Sequence, residues 1–458
     1  MAAAAEDAAA GAASGPDVPL PAYVRLIADT PLPRIALCRQ HFEASGIDDP
    51  AQALAEALAA VPQAVGRIRP GMRIAVTAGS RGIAAFPELL RALVAELAAR
   101  GAHPFVVPAM GSHGGATAEG QRALLAKLGI TEASIGCAIE SSMDTVEVGV
   151  LDNGMSVRID RLAHAADGIV LFNRIKPHTS FRAPLESGLA KMLAIGLGKQ
   201  SGAESCHSRG IERVGEFVAQ MAAVKLARCR VLFGVGTIEN ARDRLARVVV
   251  LDREGMLEAE PPFLRAAMAQ MPRLPLGDPA AAQAEGPLDV LVVDEIGKEF
   301  SGTGMDPNIT GRFSSPRLTG GPQVSRLVVL GLSERTAGNG NGAAQADVVT
   351  RRLVRAFDPE QTYPNALTSM VLRNAALPMA MPCDRTAIQT AVRTCLAERP
   401  ERVRLLRIAN TLHLEWFHAS EAMLEELSAR PGVELVGAPE AMRFEGGRLA
   451  NPLPGAEG

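Results

Sequence analysis

Three times in its first half the chain runs an apolar stretch straight into a glycine-rich turn that carries a cationic or imidazole side chain. GMRIAVTAGSRG (71–82) reaches Arg81, HPFVVPAMGSHGG (103–115) reaches His113, and ADGIVLFNRI (166–175) leads into KPHTS with His178. Helical repeats follow the first two turns. FPELLRALVAELAARGA sets Leu and Val at helical spacing and stops at Gly101. TAEGQRALLAKLGI opens on Thr117 as an N-cap and stops at Gly129. ARCRVLFGVGTIE (227–239) is a further strand. This alternation predicts an α/β fold in which mostly parallel sheets are covered by helices. In open sheets of that kind, ligands bind beyond the carboxyl ends of the strands, where turns expose backbone N–H groups and helix N-termini. The three turns are therefore the candidate site.

A length of 458 residues favours two or three domains. PRLPLGDPAAAQAEGP (272–287) has little to bury and marks the boundary. It separates an N-terminal αβ domain at 18–275 from a C-terminal αβ domain at 288–458, with a cleft expected between them. LDVLVVDEIGKEF, RLVVLGLSE, a helical stretch near 345–357 and RVRLLRIANT build the second domain, and GNGNGAAQ (338–345) reads as a flexible loop. MAAAAEDAAAGAASGPD (1–17) lacks the basic start of a signal peptide and reads as a disordered tail; ANPLPGAEG at the other end reads as frayed.

Composition excludes several classes. The net charge is −3 with no basic run, and aromatics are 3%, which argues against nucleic acid as a partner. No apolar run approaches the roughly 20 residues that span a bilayer, so no membrane association is expected. The six cysteines are scattered and form no C-x-x-C pair, the usage of reduced thiols in a cytoplasmic protein.

The candidate residues each have a plain alternative. A histidine beside glycine is commonly a turn residue bonded to backbone. Lys191, in LAKMLAIGL, suits a surface lysine whose stem lies on apolar neighbours. Arg81 suits a cap or an ion pair. Trp416, the sole tryptophan, suits the core. Common signatures also fail. AIGLGKQS has Leu193 where a P-loop needs glycine, AGSRG has Ala78 where a nucleophile elbow needs glycine, and no H-E-x-x-H occurs. What raises the set above its members is their joint placement at strand ends and in KPHTSFRAPLESGLAKMLAIGLGKQSGAESCHSRG (176–210), a stretch too interrupted by Gly, Pro and Ser to be one helix.

In that order, the Arg81 turn, GSHGGAT with His113, and the run from His178 through SGLAKMLAIGLG to His207 resemble the nickel-pincer lactate racemase family and its 2-hydroxyacid racemase and epimerase homologues. The interval from Lys191 to His207 matches the family's spacing from lysine to metal histidine. The resemblance implies a racemase or epimerase of a 2-hydroxy acid, lactate-like or larger, working by proton-coupled hydride transfer. It implies a nickel pyridinium-3,5-bisthiocarboxylic acid mononucleotide joined covalently at Lys191, with His207 as a nickel ligand. His113 and His178 would be the two acid–base histidines, and Arg81 would hold the substrate carboxylate. The N-terminal domain would bind the cofactor, and the C-terminal domain would close on the site. Cofactor-synthesis proteins would be transient partners. The chain departs from the family in two places. Ala78 stands where an aspartate usually precedes the arginine, and EIGKEFSGTGMDPNITGRFSSPR lacks the Tyr-Gln-x-x-Lys cluster of lactate racemases. Lys298 is the candidate substitute for substrate binding there, with Asn308 and Arg312 behind it. Two alternatives stand beside this one: a ligand-binding homologue without turnover, and a nickel-free enzyme acting on a phosphorylated small molecule.

Overall fold

The computed structural model describes residues 20–277, 287–315 and 318–454. The tail expected at 1–17, most of the second half of the 272–287 linker and the last four residues of the chain lie outside the described residues. Two compact units are present: Glu43–Met271, and Met1–Phe42 together with Pro272–Gly458. Both are α/β.

Strand β1 (Ile35–Gln40) belongs to the second of these units. The Glu43–Met271 unit contains β2 (Arg73–Ala78), β3 (His103–Pro108), an antiparallel pair β4 (Thr145–Val150) and β5 (Ser156–Asp160), then β6 (Gly168–Arg174), β7 (Val231–Glu239) and β8 (Leu245–Asp252). Its sheet has the order β3-β2-β6-β7-β8, parallel from β3 to β7, with β8 antiparallel at the edge.

Both faces of this sheet are covered, so its strands are apolar almost throughout rather than alternating. Ala75, Phe105, Val107, Ile169 and Leu171 point to one face, where Val214, Phe217, Val218 and Met221 of the helix Val214–Arg228 pack. Ile74, Val76, Val106, Val170 and Phe172 point to the other, against Leu89, Leu90, Leu93 and Leu97 of the helix Phe86–Ala99. Thr117 caps its helix by accepting the Gly120 N–H at 3.0 Å. The chain leaves β2 for β3 on one side and β6 for β7 on the other. Neighbouring strands β2 and β6 thus diverge, which makes a switch point at their carboxyl ends.

The other unit carries β9 (Leu288–Ile296), β10 (Val324–Leu332), β11 (Val348–Thr350), β12 (Met379–Met381), β13 (Leu405–Ile408), β14 (Trp416–Ser420) and β15 (Val433–Leu435). The order is β12-β11-β10-β9-β13-β14-β1-β15, parallel from β12 to β13 and antiparallel from there on. Strand β1 therefore does not sit with the domain to which a boundary at residue 18 assigned it. Ile35 pairs with Ser420 and Cys38 with Leu435. A strand needs ladder partners for its N–H and C=O groups, and these come from the far end of the chain.

Two local expectations change. The GNGNGAAQ stretch is packed, with Gly340 to Ala343 buried. A side chain on Gly304 (φ +85°) would put its Cβ 1.6 Å from the Asn341 carbonyl oxygen, so the two loops meet backbone to backbone. The helix expected near 345–357 is only Arg351–Ala356, because Val348–Thr350 pair as β11. Trp416 is half-buried, with the Arg39 guanidinium 5.1 Å from its ring centroid. The six cysteines are free thiols. No described helix is long and apolar enough to cross a membrane.

Candidate active site

The turns after β3, β2 and β6 stand side by side at one edge of the sheet. Strands lie about 4.8 Å apart, so the His113 and His178 turns leave the sheet roughly 10 Å from each other, flanking the Arg81 turn. Ser80 Oγ lies 2.5 Å from His113 Nδ1 and joins two of the turns. The His113 ring is exposed, while its backbone is tied down. Its N–H donates to the Met110 carbonyl at 3.1 Å. The buried Gln121 amide donates to the carbonyls of Gly111 (2.9 Å) and His113 (3.2 Å) and accepts from Lys199 Nζ at 3.0 Å. Lys199 also donates to the Pro108 carbonyl and pairs with Asp160 at 3.3 Å, both side chains being wholly buried. Burial pulls the lysine's pKa down and the aspartate's up, and their pairing opposes both shifts. This network links the His113 turn to the helix Lys199–His207.

His178 sits in a closed turn. Its N–H donates to Glu186 Oε2 at 2.6 Å, and its Nδ1 accepts the Ser180 N–H at 3.0 Å. Its ring stacks on Phe181 with centroids 4.2 Å apart. Burial holds its pKa well below 6.5, followed by the charges of Lys191, His207, Lys176 and Arg182.

The lysine segment folds as a short helix Leu189–Lys191, one π turn Met192–Gly196, and the helix Lys199–His207. This matches a stretch too broken for one helix. π turns interrupt helices mostly at functional positions. Lys225 Nζ, itself wholly buried, stabilises this one by donating to the Leu193 and Ala194 carbonyls at 2.8 Å each. The entry to the segment is pinned from two sides. Asn173 Nδ2 donates to the Gly188 carbonyl at 2.7 Å, and Glu260 Oε2 accepts the Ala190 N–H at 3.0 Å. A Cβ on Gly188 would lie 1.9 Å from Glu260 Oε1, so only glycine allows this approach.

Glu260 makes a testable contribution to stability. Burial raises its pKa from 4.5 to about 7, against the N–H groups of Ala190 and Leu189, which lower it. Between those values the folded chain keeps a proton that the unfolded chain has lost. The contribution of Glu260 to stability is therefore greatest below pH 4.5 and is lost as pH rises towards 7, by roughly 3 kcal/mol over the window. Glu260→Gln is expected to remove that slope in urea denaturation followed across pH. An unchanged slope would show that other groups carry it.

Lys191 is half-buried, and among the described residues its amine has no hydrogen-bond or ion-pair partner. It is thus not the solvated surface lysine its sequence context allowed. Burial first, then the Arg81 charge, lower its pKa from 10.5 to about 8. His207 ends the following helix; its Nδ1 is buried and, among the described residues, has no hydrogen-bond partner. Burial and then Lys191 lower its pKa from 6.5 to about 4, so the ring is neutral. Arg81 is exposed and, among the described residues, unpartnered; dense surroundings and then Arg174 disfavour its cation. Arg174 is engaged with Glu239, and Arg182 lies 3.5 Å from Glu186. Lys191 thus feels the charge of Arg81, and His178 and His207 each feel the charge of Lys191, in surroundings suited to an anion. The wholly buried Glu186, Glu260, Gln121 and Lys225 left no motif by which to be found.

Lys298 lies in the other unit, just after β9. Its Nζ donates to the Gly302 carbonyl (2.8 Å) and to Asn365 Oδ1 (3.0 Å). Arg312 binds Asp347 at 2.8 Å, and Asn308 binds Asp306.

Residues 39–216 match the family model described as the lactate racemase N-terminal domain. Among solved structures, the chain is similar to the lactate racemase apoprotein from Thermoanaerobacterium thermosaccharolyticum, with 12% identity, a TM-score of 0.47, and coverage of 81% of this chain and 100% of that one. No curated protein sequence is a significant match. That match spans the turns of Arg81, His113 and His178 and the whole segment from Lys191 to His207, so this part of the chain is similar to the lactate racemase N-terminal domain.

Proposed function

We propose that the protein racemises or epimerises a 2-hydroxy acid, lactate-like or larger, using a nickel-pincer nucleotide held by Lys191 and His207. The observation that carries this is an amine, its pKa lowered to about 8, beside a neutral imidazole whose Nδ1 is buried, neither with a hydrogen-bond partner at those atoms among the described residues. These residues fit the group. A neutral amine is the nucleophile that a covalent tether requires, and a deprotonated imidazole is a nickel ligand without prior loss of a proton. When bound, the nucleotide supplies the hydride acceptor.

The chain's own residues supply the rest. Arg81 binds the substrate carboxylate, and its unpartnered guanidinium suits a bidentate contact. The positive surroundings would hold the carboxylate of an oxidised substrate and keep it from leaking out of the site. His113 removes and returns the hydroxyl proton at Nε2, since Ser80 occupies its Nδ1. His178 faces the substrate from the turn on the other flank. Proteins that build and deliver the nucleotide are transient partners in this scheme.

The test is a panel of 2-hydroxy acids incubated with protein made alongside the cofactor-building machinery, followed by chiral analysis. Loss of optical purity for at least one acid is expected. A loaded chain that converts none of them would be a ligand-binding homologue. An unloaded chain that turns over a phosphorylated compound would be the nickel-free enzyme.

A further inference from the structure

We infer that Lys225 is a positioning residue for the proposed cofactor site: by holding the Leu193 and Ala194 carbonyls it fixes the break in the chain between Lys191 and His207. The inference deepens the proposed function and rests on it for the roles of Lys191 and His207. What it says of the break is independent of that reading.

Lys191 and His207 are sixteen positions apart. A continuous α-helix would carry them roughly 24 Å from one another and onto nearly opposite faces. His207 instead feels the charge of Lys191, so the chain turns between them. The turn is built from the π turn Met192–Gly196, then Leu197 and Gly198, then Lys199 with a φ of +53°.

A helix that breaks leaves carbonyls without the N–H four residues on, and inside a protein each needs another donor. Here the donors come from four places. The Leu197 N–H binds the Met192 carbonyl at 2.9 Å, the five-residue bond of a π turn. The Gly111 N–H binds the Gly196 carbonyl at 3.2 Å, and the Asp160 N–H binds the Leu197 carbonyl at 2.7 Å. The Leu193 and Ala194 carbonyls both go to Lys225 Nζ, at 2.8 Å each. Of these donors Lys225 is the side chain, so substitution can remove it and leave the backbone of the break untouched.

Lys225 is wholly buried on the helix Val214–Arg228, and among the described residues no carboxylate pairs with it. A buried lysine without a counter-ion destabilises a core. The two carbonyls offset that cost, and they are open to it because the helix breaks there. Burial lowers its pKa from 10.5 to about 7, opposed by the Cys229 and Cys206 thiols. The ammonium has three N–H groups and the neutral amine two, so either form serves both carbonyls. The break also has little room to shift. A Cβ on Gly196 would lie 2.6 Å from the Ala109 carbonyl oxygen, and one on Gly198 would lie 2.8 Å from that of Ala194.

The first arm of the test needs no cofactor. Lys225→Met keeps the stem and removes the donors, whereas Lys225→Gln keeps N–H donors; both remove the charge. Lys191 is acylated across pH in each chain, after circular dichroism has confirmed native helix content. The midpoint is expected near 8 in the unaltered chain and in Lys225→Gln, and to move up towards 10.4 in Lys225→Met as the amine meets water. A midpoint near 8 in folded Lys225→Met overturns the inference. Equal movement in both variants also overturns it, because charge and not the bonds to the carbonyls would then be the cause. Should Lys225→Met not fold, Gly198→Ala displaces one of the same carbonyls and is expected to move the midpoint the same way; no movement overturns the inference. The second arm uses protein made alongside the cofactor-building machinery. Lys225→Met is expected to hold at least about tenfold less nickel, as when an outer-sphere group is lost, and Lys225→Gln to stay close to the unaltered content. Full nickel in Lys225→Met overturns the positioning role. If the unaltered chain carries neither adduct nor nickel, the cofactor reading fails, and the first arm still decides whether Lys225 holds the break.

Discussion

Lys191→Arg is expected to acquire no covalent cofactor and to fall to the assay background, although it keeps its positive charge. Arginine stays protonated at any accessible pH and offers no amine nucleophile. Intact mass separates the two proteins directly: a cofactor-sized adduct that maps to Lys191 in the unaltered chain, and none in the variant. The environment of Lys191 adds a check that needs no cofactor. With its pKa lowered from 10.5 to about 8, the amine should react with a small acylating reagent along a curve centred near 8. Ordinary lysines become reactive only near 10.4. The sign follows from burial and from the like charge of Arg81, both of which disfavour the ammonium. A Lys191 that labels only with the surface lysines would deny it a desolvated site. An adduct on Lys191→Arg would move the tether elsewhere.

His207→Ala is expected to lose nickel. Outer-sphere partners alone are worth 10–100-fold in metal affinity, so removal of a direct ligand should cost at least about that much. Metal analysis of loaded protein should fall from about one nickel per chain, the stoichiometry of a single pincer site, to a small fraction of that. A fully loaded variant would identify another group as the ligand. The pH dependence is also determined in sign. A proton competes with the metal only when the ring is basic enough to hold it. Because burial and Lys191 lower the His207 pKa to about 4, nickel retention should be flat through the range where an ordinary imidazole titrates, and weaken only as pH approaches 4. Loss of metal centred near 6.5 would mean that the ring is solvated.

The sites at which chemistry was expected were legible for a local reason. A strand, the turn at its carboxyl end and the next helix are consecutive in sequence. Apolar periodicity marks the first and last, and Gly with Ser marks the turn, so Arg81, His113 and His178 could be placed at strand ends from residues nearby. The break-up of 176–210 was legible too, from its glycines, although a π turn has no such mark. The capping residues were not legible. Glu260 lies 70 residues from the Ala190 amide it accepts, and Lys199 lies 78 from Gln121. A carboxylate or amide that satisfies a distant backbone group stands in its own segment as one polar residue among many.

What the amino-acid order determined by itself was the alternation of strands, turns and helices, and the identity of the side chains delivered to one edge of a parallel sheet. Tertiary structure alone decided two further things. Strand β1 crosses to the unit built from the end of the chain. Lys191 and His207 lie in dense surroundings that disfavour their charged forms. The physical reason is the same in each case. Periodicity is a property of neighbours along the chain, whereas ladder partners, desolvation and hydrogen-bond direction depend on neighbours in space, and packing brings those together from any distance in sequence.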